Sequence, residues 1–235
     1  MAIRTDAPKR KPYLGIQMEG PIASWYDRST RGRIPEFVKT AEDVAASLPA
    51  GSAILEVAPG PGFLAIELAK RGFSVTGLDI SKSFVEIAGR NARDAGVTID
   101  FRRGDVVRMP FADNSFDFIV CVAAFKNFPD PVAALDEVHR VLRPGGSASI
   151  QDLRKEVTDR EIATEVRSMK QGRVNTFITT WIFRTALLRA AYTAEAVDRL
   201  AARSHFGGGQ LTTNGVGFDL RLTKTPRALA RHGSR

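Results

Sequence analysis

The segment over residues 54–69, ILEVAPGPGFLAIELA, restricts the fold more than any other part of the chain. Its first apolar run predicts a buried strand, PGPG predicts a tight turn, and the apolar residues after the turn predict a helix. Glycine lets backbone N–H groups approach a ligand, and a helix N-terminus adds partial positive charge. The segment therefore predicts a strand, turn and helix with a ligand held at the turn.

The same alternation of strand and helix continues through the next hundred residues. It forces parallel strand pairing with right-handed crossovers, so we expect an α/β fold with helices on both faces of the sheet. Two helices are predicted before this core and about fifty largely helical residues after it, and QLTTNG and VGFDLRLTK predict a hairpin at one edge of the sheet. The predicted core strands are SAILEVA, SVTGLDI, VTIDFRRGD, SFDFIVCVAAF and SASIQDLR, and the helices between them are GFLAIELAKRG, SKSFVEIAGRNARDAG and DPVAALDEVHRVLRPGG.

The length of 235 residues fits one α/β domain with a full core. We expect a helical cap over residues 1–49 and a ligand-binding domain over residues 50–223. Within that domain, residues 154–192 are predicted to form a helical lid. Residues 224–235 are predicted to form a flexible basic tail.

Composition indicates a soluble, cytoplasmic protein. No apolar run approaches the roughly 18 residues that span a bilayer, and the start lacks the apolar region of a secretory signal. The single cysteine, Cys121, cannot form an internal disulfide and is predicted to be a buried strand residue. The net charge of +8 is concentrated in the two ends, so we expect no stable nucleic-acid partner.

Acidic residues at successive strand ends distinguish between possible cofactors. Gly60, Gly62 and Ala65 fit the G-x-G-x-x-G/A pattern of dinucleotide sites. Glu56, however, would repel a pyrophosphate and suits a cationic ligand such as S-adenosylmethionine, which carries a sulfonium and no phosphate. Asp79 can accept both ribose hydroxyls, and Asp105 can accept from the adenine amino group. These acids favour S-adenosylmethionine, although NAD would also use Asp79.

Four stretches resemble, in order and spacing, the motifs of class I S-adenosylmethionine-dependent methyltransferases. They are ILEVAPGPG, VTGLDIS, FRRGDVVRMPFADNSFDFIVC and HRVLRPGG. The likeness is to the small-molecule branch that includes ubiquinone and menaquinone biosynthesis enzymes, and it covers residues 50–152. It implies a Rossmann-like fold with a mixed seven-stranded sheet in which one strand is antiparallel.

The resemblance also implies roles for individual residues. Glu56 and the backbone of residues 58–62 would hold the methionine end of the cofactor, Asp79 the ribose, and Asp105 the adenine. One departure is that Ala58 stands where the family has glycine, and the two prolines of the turn donate no N–H. We therefore expect a rigid turn that binds through the amides of residues 58, 60, 62 and 63 only. The full predicted set of cofactor contacts is Glu56, Ala58, Gly60, Gly62, Phe63, Asp79, Ile80, Phe84, Gly104, Asp105, Val106, Cys121 and Phe125, with Met109 bordering the adenosine.

The acceptor is expected beyond the carboxyl ends of the fourth and fifth strands. Lys126 and Asn127 follow the fourth strand and either contact the acceptor or form a capping turn. Asp152, at the end of the fifth, either orients or deprotonates an acceptor or forms a surface salt bridge. His205 is a further candidate base. No metal site is predicted.

Four aromatic residues are candidates for acceptor contact: Trp25, Tyr26, Phe177 and Trp181. Each either packs on the domain or has a functional role, in which Phe177 and Trp181 face an apolar substrate and Trp25 and Tyr26 close over the cofactor. The predicted function is methyl transfer to O, C or N of a small, largely apolar acceptor such as a quinone, a phenol or a secondary metabolite. The open alternatives are cofactor binding with a non-methylating rearrangement, RNA or protein methylation, and an NAD(P) oxidoreductase.

Overall fold

A seven-stranded sheet runs through the protein in the order β3-β2-β1-β4-β5-β7-β6. The computed structural model describes residues 18–168 and 188–226. The strands are β1 Ala53–Val57, β2 Ser74–Asp79, β3 Asp100–Arg103, β4 Phe116–Val122, β5 Leu142–Leu153, β6 Gln210–Asn214 and β7 Gly217–Thr223. The helices are α1 Gly20–Thr30, α2 Ile34–Ala45, α3 Phe63–Lys70, α4 Lys82–Asp94, α5 Pro131–Val141, α6 Asp159–Ser168, α7 Leu188–Ala190 and α8 Ala194–Arg203, with 3₁₀ turns at Arg31–Arg33 and Phe125–Asn127.

The strand directions follow from the connections. β1 to β5 are parallel because a helix or a long crossover separates each pair. β7 pairs antiparallel with both β5 and β6, and β6 and β7 form a hairpin at the edge of the sheet. The predicted mixed sheet with one antiparallel strand is therefore confirmed. β1 to β5 end at the same edge of the sheet, which we call the carboxyl edge.

Apolar strand residues bury both faces of the sheet. Leu55 and Ile119 pack on the side of α5 and α8, and Ile54 and Phe118 pack on the side of α2 and α3. Cys121 is fully buried in β4, as predicted, and burial raises the pKa of its thiol, so it is not a reactive group. Burial on two faces explains why these strands are continuous apolar runs in the sequence.

The fifth strand begins earlier than predicted. β5 starts at Leu142, directly after α5, whereas the sequence predicted a start at Ser147. Its pairing with β4 shifts between Phe116 and Phe118, so the residues before Ser147 form an irregularity. The Arg143 side chain pairs there with Asp117 at 2.7 Å and joins the start of β5 to β4. The glycines in this stretch gave no sign of such a contact.

The N-terminal segment folds as the two predicted helices, α1 and α2. α2 packs on α3, and α1 packs on α4. The lid prediction falls partly outside the described residues, and Phe177 and Trp181 are among the residues that are not described. No helix among residues 18–168 and 188–226 has the length and apolar character needed to cross a membrane.

Candidate active site

The turn after β1 has an unusual backbone. Ala58, Gly60 and Gly62 all have positive φ, at 56°, 53° and 81°. A Cβ on Gly62 would lie 2.9 Å from both the Ala88 Cβ and the Phe101 Cζ, so only glycine fits there. A Cβ on Gly60 would meet only ring carbons at 3.9 Å or more. Gly62 therefore allows close packing on α4, whereas Gly60 has open space beside it.

Most backbone amides of this turn already donate to the protein itself. Ala58 N donates to Leu78 O at 2.8 Å, Gly62 N to Pro59 O at 3.0 Å, and Gly60 N to Asp79 Oδ2 at 3.1 Å. These hydrogen bonds stabilise the turn, and the contact of the same amides with a ligand stays a prediction. The first amides of α3, beginning at Phe63, lie where a helix offers no internal acceptor. The turn thus provides open space at Gly60 and the N-terminus of α3 for a ligand.

Glu56 is a buried carboxylate at the end of β1. Only 4% of the residue is exposed, and its Oε2 has no hydrogen-bond partner among the described residues. Burial raises the pKa of Glu56 to about 8; the Ala65 amide opposes this rise and the nearby Asp79 adds to it. A buried acid without a cation is costly, and a bound cation would relieve that cost.

Asp79 ends the neighbouring strand β2. Its two oxygens accept from Gly60 N at 3.1 Å and from Ser81 N at 2.9 Å. Burial raises its pKa to about 6, against the lowering effect of these two amides. Each carboxylate oxygen accepts two hydrogen bonds, so Asp79 retains acceptor sites for two hydroxyls. Ile80 follows, 44% exposed, as an apolar surface beside the carboxylate.

The segment after β3 brings a third acid to the same edge. Gly104 N donates to Asp79 O at 2.9 Å, which holds this segment against the end of β2. Asp105 is half-buried, and its Oδ1 accepts from Val107 N at 3.2 Å. Val106 and Met109 beside it are buried. The structure thus brings the three predicted acids to the ends of three neighbouring strands.

A buried ion pair lies where β4 and β5 end. Lys126 Nζ and Asp152 Oδ1 are 2.8 Å apart, and their side chains are 8% and 1% exposed. Asp152 also accepts from Lys126 N at 2.9 Å and from Leu153 N at 2.8 Å, and Lys126 Nζ also donates to Ala123 O at 2.8 Å. The pair therefore fastens the turn after β4 to the end of β5. Because its oxygens are committed to these donors, Asp152 is poorly suited to act as a base.

A methyltransferase domain family matches residues 55–150. A demethylmenaquinone methyltransferase of Deinococcus radiodurans is 39% identical over 95 residues, which are 40% of this chain and 39% of that protein. A ubiquinone/menaquinone biosynthesis C-methyltransferase of Bdellovibrio bacteriovorus is 42% identical over 105 residues, 43% of this chain and 44% of that protein. The chain thus spans about two fifths of the length of these relatives.

Likeness to solved structures extends over nearly the whole chain. A putative S-adenosyl-L-methionine-dependent methyltransferase of Methanococcus maripaludis has a TM-score of 0.72 and 24% identity, covering 93% of this chain and 99% of its own. This chain has the fold of a class I methyltransferase. The resemblance and the fold predicted from the motifs are both confirmed.

Several residues predicted to contact the cofactor are buried in the fold. Cys121 and Phe125 have no exposed surface, so their side chains present no surface to a ligand, and their contact with the cofactor stays a prediction. Phe84 is buried near Gly60 and packs edge-on against Tyr26 with ring centroids 5.7 Å apart. Trp25, in contrast, is 60% exposed. Of the aromatic candidates that the structure describes, Tyr26 is therefore the one placed beside the turn.

His205 is not brought together with the other candidates. Its backbone amide donates to Asp136 at 2.7 Å, and its ring lies 5.8 Å from that of His139, on the outer side of α5. Tyr192, which packs on Phe125 near the carboxyl edge, precedes α8, whereas His205 follows it. A ten-residue helix spans about 15 Å. The geometry thus gives His205 no part in the candidate site.

Sequence reasoning missed Tyr192. The residue pairs with Arg154 just beyond β5, and its ring is 5.7 Å from that of Phe125. Burial raises the pKa of its hydroxyl, and the Asp130 and Asp152 carboxylates add to the rise. No local pattern marks this tyrosine, since it reaches the site only by pairing with a segment 38 positions earlier.

Proposed function

We propose that this chain is an S-adenosylmethionine-dependent methyltransferase acting on O, C or N of a small, largely apolar acceptor of the quinone or phenol kind. The observation that carries the proposal is Glu56, a buried carboxylate with an unpartnered oxygen, next to a second buried carboxylate, Asp79. Such a pair favours a cation and disfavours a pyrophosphate. The acceptor class is supported by the names of the two curated relatives.

The donor set fits the proposed cofactor. Glu56, with the N-terminus of α3, would hold the ammonium and carboxylate of the methionine part. Asp79 has the acceptor capacity for two ribose hydroxyls, while Ile80 and Asp105 offer an apolar surface and an acceptor for adenine. Gly60 leaves room for a ligand to approach the turn, since a side chain there would meet nothing closer than 3.9 Å.

S-adenosylmethionine supplies a methyl group that is already activated on a sulfonium. The protein then has to position the acceptor in line and exclude water. We assign the Lys126–Asp152 pair to holding the turn after β4, and Asn127 of that turn to acceptor contact. Tyr26 lies beside the turn, and its hydroxyl pKa is raised by burial and by Asp152, against the lowering effect of Arg33. We assign Tyr26 to the acceptor side as well.

Charge and the buried thiol support two further parts of the proposal. Residues 1–33 carry seven basic and three acidic side chains, and residues 221–235 carry five basic and none, so the domain between them is nearly neutral. We therefore propose a small-molecule acceptor without a nucleic-acid partner. The single, buried Cys121 is compatible with the cytoplasmic location that we propose.

Thermal melts followed by product analysis test this function. We expect S-adenosylmethionine and S-adenosylhomocysteine to raise the Tm, and NAD(P)H to leave it unchanged; ligand at a hundred times Kd stabilises by about 2.7 kcal/mol. With a panel of reduced quinones and phenols, mass spectrometry should detect S-adenosylhomocysteine and an acceptor heavier by one methylene group. Stabilisation by NAD(P)H alone would overturn the cofactor assignment. An acceptor converted without a change in mass would instead indicate a rearrangement.

A further inference from the structure

Asn91 of α4 connects the turn after β1 to helix α1. Its Nδ2 donates to Pro61 O at 2.9 Å and to Asp27 Oδ1 at 2.9 Å, and its Oδ1 accepts from Arg31 Nη2 at 3.0 Å. One neutral amide side chain thus joins three segments that are about 30 and 60 positions apart in sequence. Nothing in the proposed chemistry uses this residue directly.

The α1 end of this network is also well anchored. Asp27 is a buried residue whose Oδ2 pairs with Arg31 Nη2 at 2.9 Å, one helical turn later. A second contact fixes the start of the same helix, because the Glu19 carboxylate accepts from Lys82 N at 2.9 Å and Ser83 N at 3.0 Å at the N-terminus of α4. These two contacts hold α1 firmly against α4 and leave little freedom to open.

The turn needs support from outside its own sequence. Ala58 holds a left-handed conformation that costs a residue with a Cβ about 1–2 kcal/mol. The amide of Gly62 bonds within the turn, and those of Ala58 and Gly60 bond to β2. Among the described residues, the hydrogen bond recorded to the Pro61 carbonyl is the one from Asn91. Asn91 therefore restrains the side of the turn that faces away from β2.

We infer that Asn91 is a positioning residue, which holds the Pro61 carbonyl and thereby keeps the turn in the shape that binds S-adenosylmethionine. Through the same amide, α1 becomes a fixed part of the cofactor site and not a lid that closes over it. The inference rests on the proposed function for the identity of the ligand. Asparagine suits this role because its NH₂ can donate to two acceptors while adding no charge to the turn.

A charge swap separates positioning of the turn from docking of α1. In Asn91→Asp, the residue loses both donors. In the double variant Asp27→Asn with Asn91→Asp, the new amide at position 27 can donate to the carboxylate at position 91, which Arg31 can also pair, so the link between α1 and α4 is restored. The Pro61 carbonyl remains without its donor in both variants.

Affinity for S-adenosylhomocysteine, measured by titration calorimetry, is the readout. We expect both Asn91→Asp and the swap to bind about tenfold more weakly than the unaltered protein, as for one lost hydrogen bond, with the Tm recovered only in the swap. Asp117→Ala is the control, since Asp117 makes comparable bonds to Ala53 N and Arg143 at the opposite edge of the sheet. That variant should lose stability and keep its affinity.

The outcomes that contradict the inference are distinct from failure of the proposed function. Recovery of full affinity in the swap would show that Asn91 only docks α1 and does not position the turn. Unchanged affinity in Asn91→Asp would overturn the role altogether. If the unaltered protein bound no S-adenosylhomocysteine, the proposed function itself would be wrong, and the inference would fall with it.

Discussion

The two halves of the candidate site treat buried charge in opposite ways. At the ends of β1 and β2, which we call the cofactor half, Glu56 and Asp79 are buried without a cationic side chain among their recorded partners. At the ends of β4 and β5, the acceptor half, Lys126 and Asp152 are equally buried and paired at 2.8 Å. Both halves occupy the same edge of one sheet, so the difference does not arise from the fold.

This difference separates charges that stabilise the fold from charges that are available to a ligand. A buried pair with further backbone hydrogen bonds is complete, and its role is to hold a turn in place. A buried acid with a raised pKa and an unpartnered oxygen lacks an ion-pair partner, and a ligand of opposite charge would supply one. The cofactor half is therefore the part suited to a cationic ligand, and the acceptor half is the part that we propose for the apolar acceptor.

Removing one member of the completed pair should have the largest effect. Lys126→Met leaves Asp152 as an uncompensated buried charge, and we expect the free energy of unfolding to fall by about 3–5 kcal/mol. Replacing both, as Lys126→Met with Asp152→Asn, should recover most of this loss because no charge remains. Urea denaturation followed by circular dichroism measures both values.

A loss below about 1 kcal/mol in Lys126→Met would show that the pair is worth no more than a surface salt bridge, and the comparison between the halves would fail. His205→Ala is a useful control for activity in the same series. We expect it to leave turnover unchanged, because His205 lies on the outer side of α5.

The glycines of the turn provide the next test. Gly62→Ala should cost about 1–3 kcal/mol more than Gly72→Ala and should weaken cofactor binding. Both positions have similar positive φ, 81° and 85°, but an added Cβ clashes only at Gly62. Gly60→Ala should retain part of its binding, since open space surrounds it. Calorimetric unfolding and titration with S-adenosylhomocysteine give these values, and equal losses at Gly62 and Gly72 would contradict the packing argument.

Glu56→Gln should change stability and affinity in opposite directions. The folded pKa of about 8 lies above the ordinary 4.5, so ionisation costs stability as the pH rises from about 4.5 to 8. The variant lacks this cost, so its Tm should exceed that of the unaltered protein most clearly at pH 8. Its affinity for S-adenosylmethionine should fall about 10–100-fold, which is the effect expected from the loss of one hydrogen bond to a charged group.

Glu67→Gln is the matched control for this experiment. Glu67 is also buried, but Lys70 and Arg71 pair with it and keep its pKa low. We expect this variant to lose stability and retain cofactor affinity. If both glutamine variants responded alike, Glu56 would not be distinguished by its lack of a partner.

The sequence predicted what is encoded locally. Alternation of apolar strands and helices gave the sheet, and Ser81 marked the start of α4, where its side chain accepts from Phe84 N. The placement of Glu56, Asp79 and Asp105 at strand ends also followed, because parallel strands end at one edge. These predictions depend only on periodicity and on strand direction.

The rest depends on contacts between distant segments. The Lys126–Asp152 pair joins positions 26 apart, and Asn91 joins α4 to α1 across 64 positions. The sequence likewise suggested that four amides of the turn are free for a ligand. In the structure, one of them donates within the turn and two donate to β2. Single-residue patterns show that a group can form a hydrogen bond, but the partner is decided only when the chain folds.

The contact of Glu19 with the start of α4 has a practical consequence for protein engineering. It brings the chain just ahead of α1 to within a few residues of Asp79. Near the other end of the described chain, Lys224 Nζ donates to the Leu142 carbonyl, at the sheet edge opposite the site. An affinity tag or fluorescent reporter is therefore better attached after β7 than before Glu19, where it would compete for space with any molecule entering the site.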